Sequence, residues 1–145
     1  MEEDGTMEEL FLAGRMLAGG FYLLSAFHHF ADLESLSRYA GSMGVPLPAV
    51  AVAVAGILLA IAGVTLILGI YPDIGIAALV LFFVPVTVVM HAFWADRDPA
   101  MRQLDLVNFG KNVALLGSSL MFAIVPRPWA YSLERRAHLP VKVPV

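Results

Sequence analysis

Four long apolar stretches, each close to the length of a membrane-spanning helix, dominate the hydrophobic and polar pattern of this chain. The first covers residues 10–31 and is interrupted by Arg15, Ser25, His28 and His29. The second, residues 48–71, carries no charge, and the third, residues 74–94, carries none beyond any proton on His91. The fourth, residues 107–126, holds Lys111 one turn inside. About 20 apolar residues rising roughly 1.5 Å each cross about 30 Å of hydrocarbon. Helices also satisfy their own backbone hydrogen bonds, as lipid demands. The expected fold is all-α, a membrane-embedded antiparallel four-helix bundle spanning residues 10–126. Residues 1–9 form an acidic N-terminal tail, and residues 127–145 a basic, Pro-rich tail without much order.

The breaks between spans have their own pattern. Leu33, Leu36, Tyr39, Ala40 and Met43 recur at helical spacing, which predicts a short amphipathic turn at the membrane surface. Tyr71-Pro72-Asp73 leaves room only for a tight antiparallel hairpin. Pro85 should kink the third span. Trp94, Trp129, Tyr71 and Tyr131 fall at expected water–lipid boundaries, the depth their amphipathic rings favour. Gly56/Ala60 and Gly110/Ala114/Gly117 would let helices approach closely, although small residues are common in membrane spans anyway.

Composition strengthens the membrane reading. The chain is 59% hydrophobic and 14% charged, with a mean hydropathy of +0.79. Soluble domains carry about 25% charged residues. A surplus this large must face another apolar medium. The net charge of -3 and the lack of a basic patch exclude nucleic acid as a partner. The absence of Cys excludes disulfides, thiolate metal sites and dithiol redox chemistry. Five acids and no base precede the first apolar run, which is the wrong leader for a cleaved signal and predicts a retained span. With four spans, both termini share one side. That side holds Arg15, Arg127, Arg135, Arg136 and Lys142, the other Arg38, Arg97, Arg102 and Lys111, a slight excess favouring cytoplasmic termini.

Topology brings the intramembrane polarity to one end of the bundle. His28 and His29 close the first span, and His91 and Trp94 close the third. Asn108, Lys111 and Asn112 open the fourth on one helical face. Polar groups inside spans are costly and tend to face the bundle interior, so these seven residues predict a polar pocket. Three readings of the histidines stand: interfacial anchors, hydrogen-bonding groups for a lipid headgroup or quinone carbonyl, and, least favoured, axial haem ligands. Lys111 needs acceptors, with Asp105 a candidate lock and an anionic or carbonyl ligand the competing reading. No protein metal site is expected, because adjacent His28 and His29 point about 100° apart on a helix. On the opposite side, Arg15 either snorkels to the surface or bonds within the bundle, with Asp73 the nearest acid.

Several segments together resemble the DoxX-like membrane proteins. They are the Arg-containing opening span from Gly14 to Ala26, the loop Gly44-Val45-Pro46-Leu47-Pro48, and the glycine-spaced stretch from Gly56 to Gly69. The most specific are His91-Ala92-Phe93-Trp94 and Phe109-Gly110-Lys111-Asn112-Val113-Ala114-Leu115-Leu116-Gly117. The chain departs from many members at Ala26-Phe27-His28-His29, where they carry a Gly-x-x-Lys motif, and at Leu59, where they carry a glutamate. The resemblance implies a four-span bundle in a prokaryotic plasma membrane. Some members are quinone-linked oxidoreductase subunits and others belong to oxidative-stress complexes. The leading functional expectation is an accessory subunit that binds quinone or lipid and docks a redox protein. Its rivals are a subunit that reduces quinone directly, using His91 and Lys111, and a membrane assembly chaperone or small carrier. Oligomerisation is open to such a small bundle.

Overall fold

The computed structural model describes residues 2–134, and every regular element in them is helical. Five helices follow one another: α1 (Glu2–Ala31), α2 (Leu33–Ser42), α3 (Pro48–Leu68), α4 (Pro72–Met90) and α5 (Pro99–Met121), with a 3-10 turn at Phe122–Ile124. Helices α1, α3, α4 and the α5 segment are long and apolar enough to cross a bilayer. The first helix begins at Glu2, within the acidic stretch that the sequence left outside the span, since nothing there breaks helical geometry. The amphipathic turn is a full helix, α2. Helix α5 starts at Pro99, earlier than the apolar run, because Asp98 caps it by accepting from the Ala100 N–H at 3.1 Å and Pro99 fits the first turn.

Packing runs in chain order through the spans: α1 lies on α3, α3 on α4 and α4 on α5, with α2 laid across α3. Helices α1 and α5 touch sparingly, joined by a 3.0 Å hydrogen bond between the hydroxyls of Tyr22 and Ser119. The core is built from Tyr22, Leu59, Ala62, Leu66, Leu79 and Phe83. Leu59 is 1% exposed. Gly19 and Gly63 face each other where α1 crosses α3, and a Cβ on Gly63 would sit 2.9 Å from the Gly19 carbonyl. Gly56 is similarly pressed against Phe30 and His29. A Cβ on Gly110 or Gly117 would meet nothing within 4 Å, so their spacing serves no close helix contact among the described residues.

The segment after Ile124 departs from the expected loose tail. It folds back over the bundle end, burying Trp129 to 1% exposure against Phe11 and Phe122. Trp129 is therefore a core residue and not an interfacial anchor. Arg15, also on this end, is fully buried. It neither snorkels nor pairs with Asp73. Its Nε donates to the Leu66 carbonyl at 2.9 Å, one terminal nitrogen to Ile67 at 3.0 Å and the other to Ala130 at 2.6 Å. Asp73 instead makes a two-pronged ion pair with Arg127. Residues 135–145, including Arg135, Arg136 and Lys142, lie outside the described residues.

Candidate functional site

At the other end of the bundle, α2, α3, α4 and the 44–46 loop enclose a cleft of about 630 Å³. Its walls are apolar, with Leu36, Ala55, Leu58, Phe82, Val86 and Met90 among them. Val54, Leu81 and Val89 rim it and are exposed on the outer surface of the bundle, so the mouth opens toward lipid. His29 from α1, Tyr39 from α2, His91 at the end of α4 and Asn112 from α5 supply its polar groups. Four separate elements thus converge on one volume. Pro85 lines the same cleft and cannot donate a backbone hydrogen bond to Leu81.

Of the seven residues expected to form a pocket, three do so. His29 points inward because it continues the buried stripe of Arg15, Tyr22 and Ala26 along α1. Its Nδ1 lies 2.8 Å from the Ser25 carbonyl. His28, about 100° round the helix, is exposed and sits 3.6 Å from Asp32. His91 Nδ1 lies 3.1 Å from Asp105 Oδ1, tying the end of α4 to the start of α5. Asn112 is 6% exposed and continues the buried stripe of Asp105 and Ser119. Lys111, its neighbour, faces out and donates to Asn108 Oδ1 at 3.0 Å, so neither Lys111 nor Asn108 lines the cleft. Asp105 locks onto His91 and not onto Lys111. Trp94 is exposed and packs edge-on against Phe93 and Phe109.

Sequence reasoning missed one contributor to the cleft. Tyr39 read only as part of an amphipathic face, which is where it lies. Burial lifts its phenol above the usual range, with the charges of Asp105 and Asp96 adding to the shift. Asp96, in the loop before α5, has one carboxylate oxygen shut off from solvent and without a partner among the described residues. Its carboxyl is pushed above the usual range by burial first, then by the charge of Asp105 and a hydrogen bond to it. No set of three or more His, Asp or Glu able to hold a metal occurs among the described residues.

No solved structure matches this chain. It is 29% identical over 128 residues to the Inner membrane protein YphA of Escherichia coli (strain K12), an alignment covering 88% of this chain and 89% of the relative. Residues 10–92, more than half of the chain and running from within α1 through α4, match the DoxX family, and with its four apolar spans this integral membrane protein belongs to that family.

Proposed function

We propose that this protein is a non-enzymatic accessory subunit of a bacterial inner membrane, with both termini in the cytoplasm. It holds a lipid-soluble ligand, a quinone or a lipid, in the cleft at His29, His91 and Asn112, and docks a redox partner on its surface loops. The observation that carries this reading is the form of the cleft: an apolar volume open toward the bilayer, ending in a few convergent polar groups. Sites for small apolar ligands have this build. The orientation of Lys111 favours binding over direct quinone reduction. The cation that would stabilise a reduced oxygen lies outside the cleft, and with no cysteine the electrons would come from a partner.

The test is mass spectrometry of the intact protein released from native membrane, beside the variant Ala55→Trp, which fills the cleft. The wild type should carry a quinone or a stoichiometric lipid together with a redox protein, and the variant should lose the small molecule. A wild type that carries neither, or a variant that retains the ligand undiminished, would overturn the proposal.

A further inference from the structure

The hydrogen-bonding character of the cleft follows from what already occupies the ring nitrogens. His29 Nδ1 is 2.8 Å from a backbone carbonyl, which can only accept. Nδ1 therefore donates, and whenever the ring carries a single proton Nε2 presents a lone pair. His91 Nδ1 is 3.1 Å from Asp105 Oδ1. A carboxylate oxygen only accepts, so the Nδ1–H of His91 donates to Asp105. The His91 ring is then in the same state as His29, with Nε2 as an acceptor. Neither Nε2 has a hydrogen-bond partner among the described residues. Asn112 adds a third observation. More than nine-tenths buried, it lines the cleft, and its amide has no partner there.

We infer that the cleft recognises a hydroxyl donor on an apolar body, a phenol or hydroquinone, whose O–H is accepted by Nε2 of His29 or of His91. The inference rests on the ligand-holding reading above and narrows it. A ligand with only carbonyl oxygens would set lone pair against lone pair at both imidazoles, leaving the Asn112 N–H as its one donor. A quinone would thus be held in its reduced form in preference to its oxidised form.

Two probes with the same tail separate the cases: para-nonylphenol, and para-nonylanisole, which lacks the O–H. Binding is measured to the full chain in lipid nanodiscs, in mildly alkaline buffer, with empty nanodiscs subtracted. The wild type should bind the phenol about tenfold or more tightly than the anisole, the discrimination expected when a polar site loses its partner. His91→Phe and His29→Phe should each keep anisole binding, which reports an intact cleft, and the variant that removes the accepting ring should lose most of the phenol advantage; a full advantage in both overturns the assignment. Where His91 is the accepting ring, Asp105→Asn lets an amide donate to Nδ1, moves the ring proton to Nε2, and should weaken the preference as well. Equal binding of the two probes, or tighter anisole binding, overturns the hydroxyl assignment and leaves the ligand-holding reading standing. Binding of neither probe removes both.

Discussion

Arg15 donates its Nε–H to the carbonyl of Leu66, at the end of the α3 helix, from a fully buried position on α1. The carbonyls at a helix C-terminus lack intrahelical donors and carry the negative end of the helix dipole. A guanidinium reaches several at once, and Arg15 meets Leu66, Ile67 and Ala130 while lying over the rings of Phe11 and Trp129. One side chain thereby joins α1, the end of α3 and the returning C-terminal segment. Arg15→Met should leave three carbonyls without a donor and destabilise the fold by about 3 kcal/mol or more. Arg15→Lys should recover only part of this, because an ammonium lacks the planar fork. Thermal unfolding in detergent reads both, and an unchanged midpoint for Arg15→Met would remove the clasp from the stability argument.

The glycine crossing gives a second, local test. A Cβ on Gly63 would lie 2.6 Å from Leu23 Cγ as well as against the Gly19 carbonyl. Gly63→Ala must push α1 from α3, and overpacking of this kind costs about 1–3 kcal/mol. Gly117→Ala, with nothing within 4 Å, should be neutral or slightly stabilising through the better helix propensity of alanine. Equal loss of thermal stability in the two variants would show that position within the membrane, not contact, sets the effect.

The spans were legible because length and hydropathy alone determine what hydrocarbon accepts, and α2 because its apolar residues repeat at helical spacing. The role of Arg15 was not legible. Its partners are backbone carbonyls, which every residue owns, and two of them lie 51 and 115 positions away. The returning segment was hidden by its prolines, which read as a tail until Trp129 is seen under Arg15. At the cleft, the convergence of spans one, three and four on one side followed from topology. Which member of each adjacent pair faces inward did not follow from a count of polar residues. It follows from the stripes Arg15–Tyr22–His29 and Asp105–Asn112–Ser119, whose seven-residue spacing was present in the sequence but crowded by His28 and Lys111.

Membrane orientation has a direct readout. Arg127, Arg135, Arg136 and Lys142 follow the last span, whereas Arg38, Arg97 and Arg102 lie in the opposite loops. Basic residues near span ends are retained in the cytoplasm. A reporter fused after Val145 should be active only as a cytoplasmic fusion, and one fused at Ala100 only as an external fusion. The reverse pattern would invert the proposed topology and place the cleft at the cytoplasmic face.

The Asp96–Asp105 contact makes stability depend on pH in a definite direction. Burial, and then the charge of Asp105, raise the Asp96 carboxyl above its usual 3.8, opposed in part by Arg102. An acid raised on folding binds more protons in the native state than in the unfolded state. Its contribution therefore favours folding at low pH and is lost as pH climbs from the unfolded value through the raised native value. Above that window the charged pair is a standing cost. Asp96→Asn keeps the shape, supplies an N–H to Asp105 and removes the titration. It should raise the unfolding midpoint near neutral pH and flatten the decline seen in the wild type between acidic and neutral conditions. Parallel pH profiles for the two proteins would mean that Asp96 does not titrate against Asp105 in the native bundle.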